Sequence, residues 1–215
     1  MKILKPTFWN NKNLISIIIY PITFITNFIN FIKNFTSKNK FKIKTICIGN
    51  IPLGGTGKTS LAIKINNILK NKFKTVFIKK FYEDQKDEIN LLKRNGEVIA
   101  KSDRLQCLHN AELNNFEIAI LDDGLQQKNI SYSLKIACFN TSEGIGNGYL
   151  LPAGPLRESL NELKNYDVAF LNGYRKNFQL KKKIKSINNK IKIFEGVYKP
   201  VNLLKLNRKK KYLMF

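Results

Sequence analysis

Histidine and cysteine are scarce in this chain. His109 is its one histidine, so neither a Ser-His-Asp triad nor a histidine-rich metal site finds support. The three cysteines, Cys47, Cys107 and Cys138, are scattered and form no CxxC pair. Neither a disulfide frame nor a zinc site is suggested, and a reducing compartment is expected. Cys47 and Cys138 fall in apolar runs and read as core. Acidic residues are also few, 15 against 38 Lys and Arg, leaving a net charge of +23. That excess suits phosphate-rich partners such as nucleotide, anionic lipid or nucleic acid. It fits equally well a general richness in Lys, Asn and Ile, so charge alone assigns nothing. No internal repeat and no nucleic-acid-binding module is recognisable, and no nucleic-acid partner is expected.

Charge is absent altogether from Leu14 to Ile32, a run of 19 residues. Its length borders on that of a membrane span. Ser16, Thr23, Asn27, Asn30 and Asn34 recur at helical spacing and share one face, while the other faces are mostly Ile, Leu, Phe and Tyr. An amphipathic helix in the membrane interface is therefore predicted over residues 1–40, kinked or divided at Pro21. Lysines flank it on both sides and suit anionic headgroups. No small-residue cleavage site follows, so the segment is not read as a cleaved signal peptide.

What the chain does have is a phosphate loop. Ile43 to Ile48 is a β-branched apolar run and reads as a buried strand. Pro52-Leu53-Gly54-Gly55-Thr56-Gly57-Lys58-Thr59 follows, and Leu61, Ile65, Ile68 and Leu69 then take helical spacing. Strand, glycine loop, Lys-Thr and helix form the layout of a P-loop. Glycines let backbone N–H groups surround a phosphate at a helix N-terminus. Lys58 can reach the β/γ-phosphates, and Thr59 can ligate Mg²⁺. The strict pattern has a glycine where this chain has Pro52.

Downstream, strands are predicted at Thr75–Ile78, Glu97–Lys101, Phe116–Leu121, Leu134–Phe139, Asp167–Asn172 and Ile191–Phe194. Ser102 is the expected cap of a helix running through Asn110. Asp122-Asp123-Gly124 closes the fourth strand, where a P-loop's partner carboxylates hold Mg²⁺ directly or through water. A helix is expected to begin near Arg157, which could clamp a phosphate or pair with Glu158 or Glu162. Lys176 to Lys192 reads as a solvated helix face. Alternating strands and helices after a phosphate loop predict a P-loop NTPase-like α/β fold with a doubly wound, mostly parallel sheet over residues 41–215.

Four motifs together resemble the tetraacyldisaccharide 4'-kinases. They are Pro6-Thr7-Phe8-Trp9 before the apolar helix, Gly49-Asn50-Ile51 with Gly54-Gly55-Thr56-Gly57-Lys58-Thr59, Asp122-Asp123-Gly124-Leu125-Gln126, and Gly146-Asn147-Gly148 with Leu150-Leu151-Pro152-Ala153-Gly154-Pro155-Leu156-Arg157-Glu158. The resemblance also accounts for Pro52. It implies a monomeric, Mg²⁺- and ATP-dependent kinase on the cytoplasmic face of the inner membrane. That kinase would phosphorylate the 4'-hydroxyl of a lipid A precursor, a tetraacyldisaccharide 1-phosphate. By the same resemblance Asp87 is the catalytic aspartate, acting with Lys58 and Asp122. Thr59, Asp122 and Asp123 would face the metal, and Tyr82, Asn147 and Arg157 the substrate. The chain departs from the pattern at Lys79, Lys80 and Phe81, where the family has Ser-Arg-Gly, at Ile89 for proline and at Gln127 for histidine. The resemblance further implies a second lobe beginning after Phe215. Two other readings of the same loop are a switch-type ATPase of the partitioning or transport kind, disfavoured by Leu53 where that group has lysine, and an inactive truncated kinase.

Overall fold

The structure, a computed structural model, describes residues 5–198. A 3₁₀ turn at Thr7–Trp9 leads into α1 (Leu14–Ile19), a second 3₁₀ turn at Tyr20–Ile22 and α2 (Thr23–Asn34). Pro21 lies in that second turn, so the predicted apolar helix is divided there. Asn13 and Ser16 form a reciprocal cap at the start of α1. The remaining chain runs β1 (Lys44–Gly49), α3 (Lys58–Leu69), β2 (Thr75–Lys80), α4 (Lys86–Lys93), β3 (Val98–Lys101), α5 (Arg104–Leu113), β4 (Ile118–Asp122), β5 (Leu134–Asn140), β6 (Val168–Asn172), α6 (Phe178–Ile187) and β7 (Lys192–Gly196).

The seven strands form one sheet in the order β3-β2-β4-β1-β5-β6-β7, every pair parallel. Helices cover both faces, which is why the central strands are apolar almost without interruption. In β4, Ile118 and Ile120 pack toward α3 and α4, while Ala119 and Leu121 pack toward α5 and α6. The chain winds from β1 to one side and returns, then builds outward on the other side from β5. Adjacent β1 and β4 therefore end at the point where the winding reverses, where α/β sheets hold their ligands.

Two sequence expectations shift. Asp103, not Ser102, caps α5, its carboxylate accepting from Leu105 N at 3.0 Å, and the helix continues to Leu113. No helix starts at Arg157; Leu156 pairs instead with Pro52 and Leu150, and the short 3₁₀ turn Leu160–Asn165 begins later behind Ser159. The expected lobe beyond Phe215 lies outside the described residues.

The polar stripe of the N-terminal helices faces the protein. Ser16 and Thr23 are buried, Thr26 Oγ1 donates to Leu151 O at 2.7 Å, and Asn30 Nδ2 donates to Arg157 O at 3.0 Å. The apolar side points outward: Leu14, Ile18, Ile25, Phe28 and Phe35 are each more than 60% exposed. A soluble protein's surface helix has the opposite polarity.

Candidate active site

The phosphate loop joins β1 to α3. Gly57 stands at the helix N-cap with φ of 81°, a left-handed conformation that glycine adopts without strain. Asn50, buried at the end of β1, braces the loop from within. Its Nδ2 donates to Pro52 O at 2.6 Å and Gly54 O at 3.2 Å, and its Oδ1 accepts from Lys58 Nζ at 3.2 Å. Pro52 is buried in this turn and serves as an acceptor, so a glycine is not needed there.

The Gly- and Pro-rich segment from Gly144 to Glu158 packs directly on that loop. Leu53 N donates to Pro155 O at 2.7 Å, and Arg157 N donates to Ile51 O at 2.8 Å. Gly154 permits the fold of this segment: a Cβ there would sit 2.2 Å from Asn147 Oδ1. Arg157 Nη1 then reaches both Asn50 Oδ1, at 2.9 Å, and Asp123 Oδ1, at 2.8 Å. Two motifs about a hundred residues apart in sequence thus build one wall.

Asp122 and Asp123 sit at the end of β4. Register places Asp122 beside Ile48 of β1. Thr59 Oγ1 donates to Asp122 Oδ2 at 3.0 Å, and Lys79 Nζ donates to the same oxygen at 2.7 Å. Asp122 Oδ1 is buried and meets no protein donor. Asp123, with φ of 62°, turns away toward Lys58 Nζ, 3.8 Å distant, and Arg157. Burial raises its pKa, but Lys58, Arg157 and Arg104 outweigh that and hold the carboxyl below the usual range.

A cavity of about 360 Å³ opens beside the loop. Asp122, Asp123, Arg157 and Tyr82 line it together with Lys79, Lys80, Arg104 and Lys33 of α2. Arg104 Nη2 donates to Asp123 O at 2.6 Å, so the α5 N-terminus faces this space. Its lining suits an anionic, hydroxyl-bearing ligand. A second cavity, about 540 Å³, lies between α2 and the Glu158–Glu162 segment, with Phe24, Phe28 and Phe31 on its apolar side.

Not every predicted residue gathers here. Asn147 is buried inside its own loop, donating to Phe8 O and Ala153 O and accepting from Tyr149 N. It lines neither cavity, because the glycines around it fold the loop over its amide. Asp87 is exposed in the first turn of α4 and is not part of the cavity wall, whereas nearby Gln85 lines it and Glu88 pairs with the lining Lys79. The sequence reading gave no role to Asn50, Lys79, Arg104 or Gln126 by themselves, and it assigned Lys33 with the other flanking lysines to anionic headgroups, not to this cavity. Asn50 and Gln126 belonged to quoted motifs; Lys79 stood only as a departure from the family pattern.

Behind Arg157 lies a buried polar knot. Glu158, about 1% exposed, accepts from Lys128 Nζ at 2.9 Å, from Gln126 Nε2 at 3.3 Å and from the Tyr166 hydroxyl. Gln126 Nε2 also donates to Asn50 O at 3.0 Å, which connects the knot to the phosphate loop.

The family model described as "Tetraacyldisaccharide-1-P 4'-kinase" matches residues 15–213. A relative named tetraacyldisaccharide 4'-kinase, from Pelagibacter ubique (strain HTCC1062), is 47% identical over 219 residues, covering 100% of this chain and 70% of the relative. The relative of that name from Rickettsia bellii is 33% identical over 192 residues, covering 80% of this chain and 60% of the relative. Among solved structures, an "apo" form of LpxK from Aquifex aeolicus in complex with ATP superposes with a TM-score of 0.67 at 21% identity. That match covers 85% of this chain and 64% of the other, and it shows the shared fold. The chain thus spans about 60 to 70% of the length of these relatives.

Proposed function

Because this chain belongs to the tetraacyldisaccharide-1-phosphate 4'-kinase family, we propose that it transfers the γ-phosphate of ATP to the 4'-hydroxyl of a tetraacyldisaccharide 1-phosphate. The observation that carries this reading is the single wall made by Asn50, Lys58, Asp123 and Arg157 at the reversal point of the sheet.

In this reading the backbone of Pro52–Thr59 cradles the β- and γ-phosphates, and Lys58 neutralises them. Arg157, held flat against Asn50 and Asp123, orients toward the transferring group. The Thr59 hydroxyl and the unpartnered Asp122 Oδ1 form a hard-oxygen pair that fits Mg²⁺, with Asp123 nearby. When bound, Mg²⁺ supplies charge neutralisation at the phosphates. Asp87, exposed on the first turn of α4 two residues beyond the cavity-lining Gln85, accepts or orients the acceptor's hydroxyl proton. Lys33, Lys80 and Arg104 attract the acceptor's own phosphate.

The N-terminal helices, with their apolar side outward, hold the site at the cytoplasmic face of the inner membrane. Lys33 connects that anchor to the cavity, so a headgroup can enter while its acyl chains stay in lipid.

The test is transfer of label from ATP to tetraacyldisaccharide 1-phosphate in detergent, with Lys58→Ala as control. Label transfer by the wild type alone supports the reading. No nucleotide binding and no transfer by a folded wild-type chain overturns it.

A further inference from the structure

Lys79 stands where the family pattern has a small hydroxyl residue, and the structure buries it. Among the described residues it is the one Lys or Arg in the buried class, with only 3% of its side chain exposed. An ammonium in that position is costly unless it is paired. It is paired twice: with Asp122 Oδ2 at 2.7 Å, and with Glu88 on the first turn of α4. Lys79 thus fills one side of the Asp122 carboxylate while the other oxygen, Oδ1, stays buried and unpartnered.

We propose that Lys79 is a resident counter-cation of this site, a positioning residue that sets how tightly Asp122 takes a divalent cation. The inference rests on the reading that Thr59 and Asp122 face the metal. Three consequences follow from the charges. With Lys79 in place, Asp122 and Glu88 together offer one net negative charge instead of two. A divalent cation at Asp122 Oδ1 is therefore held less tightly than two bare carboxylates would hold it. The ammonium also keeps Oδ2 occupied, so Asp122 presents a single oxygen in a fixed direction. Finally, the same ammonium ties α4 to the end of β4, linking the turn that carries Asp87 to the carboxylate that faces the metal.

The experiment is titration of the 215-residue chain in detergent with Mn²⁺, reading free Mn²⁺ by electron paramagnetic resonance, without nucleotide. Circular dichroism checks each variant's fold. Lys79→Met is expected to bind Mn²⁺ at least about tenfold more tightly than wild type, and Lys79→Arg to stay near wild type. Lys93→Met, exposed at the C-terminal end of α4 and not lining the cavity, controls for net charge and is expected to change nothing. Lys79→Met binding no more tightly than wild type, or no more tightly than Lys93→Met, overturns the proposal. If Lys79→Met does not fold, Glu88→Gln decides: it leaves the ammonium on Asp122 alone, so Mn²⁺ binding should weaken several-fold, and unchanged binding overturns the proposal. Asp122→Asn separates the two levels. If it abolishes Mn²⁺ binding while Lys79→Met is without effect, only the counter-cation role fails. If it leaves binding intact, the metal-facing assignment fails and takes the proposal with it.

Discussion

Thr59 and Asp122, 63 positions apart in sequence, meet at 3.0 Å between Oγ1 and Oδ2. The contact exists because β1 and β4 are parallel neighbours in a register that sets Ile48 against Asp122. The phosphate loop springs from one strand end and the carboxylate from the other. The strand register fixes where the loop starts and where Asp122 sits, and the loop braced by Asn50 carries Thr59 on the first turn of α3 across to it.

Lys58→Ala is expected to lower phosphate transfer by at least about a hundredfold, because the β/γ-phosphates lose their principal cation. Asn50→Ala should lower nucleotide affinity as well, since Lys58 and Arg157 both rest on its carbonyl oxygen. Label transfer from ATP checks the first and calorimetric titration with ATP the second; wild-type transfer by Lys58→Ala, or wild-type affinity in Asn50→Ala, would remove that residue from the site.

The outward face of α1 and α2 predicts membrane affinity. Ile18, Ile25 and Ile32 are exposed at sevenfold spacing. Replacing all three with serine should reduce partitioning onto anionic vesicles by at least about a hundredfold, given about 25 cal/mol per Å² of apolar area. Vesicle sedimentation measures this. Unchanged sedimentation would show that lipid is held elsewhere.

The buried knot at Glu158 predicts an alkaline stability limb. Burial lowers the Lys128 pKa, but Glu158 and Glu162 more than offset this and raise it above its ordinary value of 10.5. A raised folded-state lysine stabilises the fold fully below its unfolded pKa and loses that contribution as pH rises through the folded one. Burial and Glu158 also raise the Tyr166 hydroxyl, so the phenol stays neutral in the fold, with the same sign. Melting temperature should therefore fall with pH above about 10, and Glu158→Gln should flatten that fall. Glu158→Ala should cost about 1–3 kcal/mol at neutral pH, because the Tyr166 hydroxyl loses its acceptor while Lys128 keeps only Glu162.

Asn147→Ala should destabilise the chain by about 1–3 kcal/mol, since it leaves the buried Ala153 carbonyl unpaired and removes one of the two side-chain donors to Phe8 O. Acceptor affinity in the folded variant should stay at its wild-type value. Loss of acceptor affinity without loss of stability would return Asn147 to the substrate site.

Cys47, Cys107 and Cys138 are fully buried, and burial pushes the Cys47 thiol up to about 12. All three should resist a thiol reagent until the chain unfolds. Fast labelling of any one in the native state would contradict the packing.

Local order in the sequence determined the elements. Apolar runs with β-branched residues define the strands, because both sheet faces are covered and need them apolar. Gly57 before Lys58-Thr59 marks the start of α3, because only a left-handed N-cap turns the loop inward. Pro21 divides the N-terminal helix for lack of an amide hydrogen. The polar stripe on that helix was also legible from its spacing. Which side of it met the protein was not, since either face could have packed inward until Leu151 and Arg157 offered carbonyls to Thr26 and Asn30. Tertiary structure alone decided that Lys79 is buried between Asp122 and Glu88, that Asn50 braces the phosphate loop and that Asn147 braces its own. Each of these roles depends on partners brought together by strand order and loop closure, and neither leaves a period in the sequence.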